Sequence, residues 1–139
     1  MKKLMTIAFL IVLTLTVQGQ VEQYRSYKVV FFEDWNSSTK KWETMEDYNV
    51  SFLITWNIKD QILTIHGDTP IKIYITGVRG ISEMKKDEDG DEYKVLRWYA
   101  VDADGEEVYL MSKDWLKFDN RNWTLTYDGF STEFFCKII

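Results

Sequence analysis

The sequence predicts an all-β protein built as a single antiparallel meander, which closes into a small barrel or folds into a sandwich. Three observations lead to this prediction. Stretches rich in β-branched and aromatic residues follow one another with short connectors. Apolar residues alternate with polar ones inside these stretches, and Asp-Gly pairs stand between neighbouring stretches. Segments with a helical pattern are few.

The first element of the chain is a predicted export signal over residues 1–19. Two lysines precede the uncharged apolar stretch from Leu4 to Val17, and the small residues that follow suit a signal peptidase. The stretch is shorter than the about 20 apolar residues that a membrane-spanning helix needs. We therefore expect cleavage before Gln20 and a single β-domain over residues 20–139. The signal resembles bacterial ones and predicts a secreted or periplasmic location, with no membrane span after cleavage.

The strand candidates follow in order through the rest of the chain. In residues 71–77, Ile71, Ile73 and Ile75 alternate with more polar residues, as expected for a sheet with one buried face. Pro70 precedes this strand, in a turn where its missing N–H does least harm. Residues 36–48 have mixed signals and are predicted as a short helix or a loop. The predicted strands are 27–33, 50–57, 61–67, 71–77, 92–101, 107–112, 116–119, 123–127 and 132–138.

The core must form without a disulfide inside the chain, because Cys136 is the only cysteine. Six Trp, eight Tyr and eight Phe supply large apolar surfaces to bury. We expect Cys136 to be a small core residue and most of the Trp rings to pack in the core or at its rim.

The charge of the chain argues against polyanionic partners. Removal of the signal lowers Lys+Arg from 17 to 15 against 22 Asp+Glu, so the formal charge changes from -5 to -7. Affinity for nucleic acids comes mainly from basic groups that displace counterions, and the sequence has no basic stripe. We therefore expect neither nucleic acid nor an anionic membrane surface as a partner.

Two acidic runs, at residues 85–93 and 101–108, are candidates for calcium-binding loops or for hairpin turns. A helix-loop-helix calcium loop needs a carboxylate at position one and a glutamate at position twelve. With Gly90 at position six these places hold Lys85 and Leu96, and the second run fails similarly. Asp-Gly between strands instead favours a hairpin turn. The turns should lie roughly 40 Å apart, at opposite ends of the strand that joins them. No metal and no cofactor are predicted.

The joining strand holds the first candidate ligand-binding residues, Arg97, Trp98 and Tyr99. Arg97 interrupts an otherwise apolar row. Its guanidinium has two possible settings: it binds a ligand carboxylate in a barrel lumen, or it packs on neighbouring Tyr rings at the surface.

Enzyme chemistry finds little support in the sequence, and we predict that the protein is not an enzyme. His66 is the only histidine, and no nucleophile motif or His/Cys cluster accompanies it. A hydrolase that uses two carboxylates stays as an alternative, although 22 acidic residues offer no way to choose the pair.

Trp35 and Trp42 are the second candidate site, because they flank the least regular segment and functional aromatics tend to lie on loops. The leading hypothesis is a non-catalytic module that binds a small apolar ligand or a glycan. The alternative is a structural or interaction protein of the cell envelope, or an inhibitor, with a protein partner instead of a small molecule.

The layout resembles that of small meander barrels such as the lipocalin-like group. The resemblance is architectural, because the Gly-x-Trp signature of the first lipocalin strand is absent and Glu33 to Trp35 is the nearest approach to it. It implies a closed antiparallel barrel and transfers no ligand or site residue.

Overall fold

The computed structural model describes residues 21–139, which form ten β-strands and no helix. All strand pairs are antiparallel. The prediction of an all-β antiparallel meander is confirmed. The predicted signal at residues 1–19 lies outside the described residues. The strands are β1 (Val21–Asn36), β2 (Lys41–Tyr48), β3 (Leu53–Asn57), β4 (Ile62–His66), β5 (Ile71–Val78), β6 (Glu83–Lys86), β7 (Glu92–Asp102), β8 (Glu107–Trp115), β9 (Asn120–Tyr127) and β10 (Phe130–Ile138).

Eight of the strands close into a barrel. Strand β1 pairs with β10 from Tyr24↔Ile138 to Glu33↔Phe130, and its other edge pairs with β3. The sheet therefore runs β1-β3-β4-β5-β7-β8-β9-β10 and returns to β1. Closure pairs β1 with β10, the two barrel strands that would be edges in an open sheet. Of the two architectures that the sequence allowed, the barrel is the observed one.

The remaining strands, β2 and β6, extend the barrel wall. Strand β1 has 16 residues, and its C-terminal half pairs with β2 along the same edge that β3 uses further back. Strand β6 pairs with the start of β7, along the edge that β5 uses near the end of β7. Strands β1 and β7 are longer than their barrel partners β3 and β5, and β2 and β6 pair with the parts that extend beyond those partners.

The prediction of a short helix or a loop at residues 36–48 is wrong. Strand β1 continues to Asn36, four residues turn the chain, and β2 begins at Lys41. The Asn36 side chain accepts the backbone N–H groups of Ser38 and Thr39 and so stabilises the turn. Local pattern missed β2 because it is mostly exposed and pairs with β1 alone among the described strands.

The predicted strand at residues 116–119 is also wrong, because these residues form the turn between β8 and β9. Leu116 and Phe118 alternate as in a strand, but both are about half exposed. The chain must reverse here because Asp114 on β8 pairs with Arg121 on β9. Strand β6, which was not predicted, has four exposed residues and no apolar alternation.

The barrel interior is filled mainly by the alternate apolar residues of each strand. Three Trp rings, Trp56, Trp98 and Trp123, pack together with centroids 5.7 to 6.0 Å apart. Cys136 is fully buried and free, as expected for a core residue. The other fully buried large side chains include Tyr24, Ile54, Leu63, Ile73 and Leu110.

Within residues 21–139 there is no helix whose length and apolar character would let it cross a bilayer.

Candidate ligand-binding site

The two ends of the barrel interior differ in chemistry. We call the end with Glu22, Tyr24, Asp114 and Arg121 the charged end. Arg121 donates from Nη1 to Glu22 Oε2 at 2.8 Å and from Nη2 to Asp114 Oδ2 at 2.9 Å. Its guanidinium also lies over the ring of Tyr24, 5.2 Å from the centroid. Side chains therefore fill the interior here.

These contacts offset part of the cost of burying charge at this end, although Arg121 Nε has no hydrogen-bond partner among the described residues. Burial opposes the charge of Arg121, but the hydrogen bond to Asp114 and the nearby acidic groups raise its pKa above the ordinary value. Burial also raises the pKa of Tyr24, whose hydroxyl donates to Glu22. The guanidinium stays charged and Tyr24 stays neutral, so the network keeps its hydrogen bonds at neutral pH.

The opposite end, which we call the mouth, holds a cavity of about 510 Å³. The antiparallel topology brings the β4–β5, β7–β8 and β9–β10 turns to this end. A register shift in β1 between Ser26 and Lys28 keeps Val29 and Phe31 on the interior side. The apolar walls come from β1, β4, β9, β10 and the approach to β3, including Phe31, Phe52, Ile65, Leu125, Phe130 and Phe134.

A stacked aromatic pair forms one side of the mouth. The Tyr127 and Phe130 rings are 4.9 Å apart and inclined by 13°. They flank the turn Asp128-Gly129, where Gly129 adopts a φ of 90° that other residues rarely take. The tight turn holds the two rings in register across β9 and β10.

Polar groups at the mouth centre on Asp102. Its Oδ1 accepts the backbone N–H groups of Asp104 and Glu106, both at 2.9 Å, and its Oδ2 accepts the Tyr127 hydroxyl at 3.2 Å. Burial and the nearby charge of Asp102 raise the pKa of Tyr127 to about 12. Asp68, Glu106, Thr69 and Thr132 add further polar groups to the lining. The mouth is thus an apolar cavity with an acidic rim.

The structure brings Trp35 and Trp42 together, as neighbours directly opposite each other on β1 and β2. Their rings are 5.2 Å apart and inclined by 63°. Trp35 is half exposed, and both rings line an open groove with Asp34 and Asp128. Tyr127 lines both the groove and the cavity, so the two features are adjacent.

The other candidate residues do not form one site, because consecutive strand residues point to opposite faces. Trp98 lies in the interior Trp cluster. Arg97 lies outside, where its Nη1 donates to Glu83 Oε1 at 2.9 Å, and Tyr99 packs edge-on against Tyr109. Arg97 is therefore at the surface, but its partner there is Glu83, and the guanidinium that lies over a Tyr ring nearby is that of Arg79, on Tyr109.

The two acidic runs form turns of the same geometry. Asp87 accepts the backbone N–H groups of Asp89 and Asp91 at 3.0 and 2.9 Å, as Asp102 does in the second turn. Gly90 and Gly105 have nearly equal positive φ values. The turns lie at opposite ends of β7, as predicted.

The first turn also groups three carboxylates, Asp87, Asp89 and Asp91, with oxygens within 4.8 Å of one another. Trp115 Nε1 donates to Asp87 at 3.0 Å. This bond, together with the backbone N–H groups, lowers the pKa of Asp87. The oxygens of Asp87 therefore already hold the turn and the Trp115 indole.

Comparison of the chain with family models, curated proteins and solved structures gives no match. The cavity residues Phe31, Phe52, Tyr127 and Phe130 were not singled out from the sequence. One signal was present, since Asp128-Gly129 predicts a tight turn and has an aromatic residue on either side. That β1 would pair with β10 and bring Phe31 beside these rings could not be read from local pattern.

Proposed function

We propose that this protein binds a small apolar ligand in the mouth of its barrel. The observation that carries the proposal is the cavity of about 510 Å³, which has apolar walls and a few polar groups at its rim. Ligand sites are typically clefts of about 300 to 1,000 Å³ with this kind of lining. In the proposed setting the protein is exported and acts in the periplasm or outside the cell, on the basis of the predicted signal.

The contrast between the two ends supports this assignment. At the charged end the interior is filled by Arg121 and its partners, whereas the mouth leaves space among rings. Phe31 and Phe130 each expose more than two fifths of their surface at this point. A bound apolar ligand would remove this surface from water, at about 25 cal/mol per Å².

Fluorescence with the neutral apolar dye N-phenylnaphthylamine tests the proposal. We expect saturable enhancement with the wild type and a loss of at least about tenfold in affinity for Ile71→Trp. Ile71 lines the cavity and is partly exposed, so a larger ring there should fill the mouth without disturbing the core.

The matched control is Lys72→Trp, which places the same ring on the neighbouring exposed residue of β5, away from the cavity lining. It should bind the dye as the wild type does. Equal loss in both variants, or no saturable binding by the wild type, would contradict the proposal and favour an interaction protein.

The Trp35–Trp42 groove supports a second candidate function, glycan binding. Exposed Trp rings stack on sugar faces, and Asp34 and Asp128 offer acceptors for sugar hydroxyls. We expect oligosaccharides to change Trp fluorescence in the wild type and not in Trp35→Ala. The control Phe118→Ala removes a similarly exposed ring at the far end of the barrel. Absence of any glycan response in the wild type would rule out this function.

A further inference from the structure

We propose that the mouth selects ligands with a positive charge, that is, an apolar body with an ammonium-type head group. This inference rests on the proposed function and names the ligand class of the same cavity. It follows from the charges of the rim, from the way Asp102 is held, and from the rings beside it.

The rim carries charge of one sign. Among residues 21–139, the cavity lining contains three carboxylates, from Asp68, Asp102 and Glu106, and no Lys, Arg or His. Asp104 lies in the same turn as Asp102 and adds to the negative field. A cleft with low-dielectric walls and one sign of charge concentrates ions of the opposite sign.

No cation of the protein neutralises this charge in the described part of the chain. The ion pairs there involve Lys28, Lys85, Arg97, Lys113 and Arg121, and their acidic partners lie elsewhere. The partners of Asp102 are two backbone N–H groups and one phenol, all of them neutral donors. A ligand cation would therefore be the first positive charge at the mouth.

Asp102 is held firmly and still has acceptor capacity. A carboxylate offers about four acceptor sites, and the three bonds to the turn and to Tyr127 engage its negative charge only in part, which leaves it available to a cationic head group. Because the turn fixes the carboxylate, little side-chain entropy is lost when a ligand binds it.

The aromatic pair beside Asp102 suits a cationic head group and disfavours an anionic one. A cation is attracted to the face of an aromatic ring within about 6 Å. Tyr127 contacts Asp102 directly and stacks on Phe130. Burial is the main reason that the pKa of Tyr127 is raised, and the charges of Asp102, Glu106 and Asp104 raise it further, which indicates a negative field at the ring. A carboxylate or sulfate head group would be repelled by this field.

Calorimetric titration with three decyl compounds separates this inference from the proposed function. The compounds are decyltrimethylammonium, decanol and decanoate, which share a tail and differ in head-group charge. We expect the cation to bind about tenfold more tightly than the alcohol, because it alone is attracted by the negative rim and by the faces of the aromatic rings. Decanoate should bind most weakly.

Asp102→Asn tests whether the preference arises at the mouth. Asparagine keeps the acceptor that holds the turn and removes the charge. We expect the variant to lose most of the preference, so that the cation and decanol bind it with similar affinity. The control is Asp87→Asn, which makes the same change in the equivalent turn at the other end of β7. It should keep the wild-type preference.

The possible results of these titrations distinguish the charge selection from the cavity function. Equal binding of decanol and decyltrimethylammonium by the wild type would overturn the charge selection and leave the cavity function standing. An equal loss of preference in Asp87→Asn would overturn it as well, since net charge and not the mouth would then be responsible. Failure of all three compounds to bind would overturn both proposals.

Discussion

Arg97 and Arg121 each hold a carboxylate oxygen at 2.9 Å, but they lie on opposite sides of the barrel wall. Arg97 is on the outer surface with Glu83, where water competes for both partners. Arg121 is inside the charged end, and its side chain is 18% exposed. Two ion pairs of equal length should therefore differ in their contribution to the free energy of unfolding.

We predict that Arg121→Ala lowers the free energy of unfolding by about 1.5 to 3 kcal/mol, because two partly buried carboxylates, those of Glu22 and Asp114, lose a charged donor. Arg97→Ala should lower it by less than about 1 kcal/mol. Urea titrations followed by Trp fluorescence measure both values. Equal losses would show that the charged end is not a buried structural network.

The burial of Cys136 makes the free energy of unfolding depend on pH, and the sign of this dependence is known. Burial raises the pKa of its thiol from 9.0 to about 12, so the folded state keeps the thiol neutral while the unfolded chain ionises it. The resulting stabilisation is complete below pH 9 and is lost as the pH rises from 9 to 12.

We predict that Cys136→Ala is less stable than the wild type at pH 8, because it leaves a small cavity, but loses less stability between pH 9 and 12. Tyr127, whose pKa is also raised to about 12, is present in both proteins and cancels in the comparison. Urea midpoints across this pH range provide the measurement. Parallel curves for the two proteins would mean that Cys136 ionises equally in both states.

The strands and the acidic turns follow largely from local sequence. The alternation of Ile71, Ile73 and Ile75 predicted β5, and the Asp-Gly pairs predicted both turns of β7. Strand β2 was missed because its residues gain their conformation from pairing with β1, and pairing is not a local property. The turn at Leu116 was missed because exposed apolar residues imitate a strand pattern.

The positive φ of the turn glycines leads to a prediction about the stability of glycine-to-alanine variants. Gly105 has a φ of 82°, and Gly105→Ala should cost about 1 to 2 kcal/mol although an added Cβ has open space. Gly77→Ala is the control, because φ there is ordinary and the nearest atom of Tyr99 is 3.9 Å away. It should be neutral or stabilising. The melting temperatures of both variants measure the two effects. Equal destabilisation by the two substitutions would contradict the assignment of Gly105 to a turn that requires a positive φ.

At the scale of the whole molecule, the barrel depends on contacts between the ends of the chain. Strand β1 pairs with β10, so Phe31 and Thr132 are direct neighbours in the wall at the mouth although about a hundred residues separate them. The sequence singled out Trp35 and Trp42 as the flanks of an irregular segment, but their proximity depends on the pairing of β1 with β2, which was missed. The cavity was not predictable either, because it forms only when the first and last strands meet.

Closure also gives the molecule two unlike ends. The charged end is filled by a buried network, and the mouth is apolar with an acidic rim. The proposals for ligand binding and for charge selection both require that ligands enter at the mouth.

The most direct test of this account is chemical-shift mapping of the isotope-labelled protein during titration with decyltrimethylammonium. We predict saturable shifts at Phe31, Phe52, Tyr127 and Phe130, with Arg121 and its neighbours unchanged. Shifts confined to the Trp35–Trp42 groove, or no saturable shifts at all, would contradict the assignment of the mouth as the binding site.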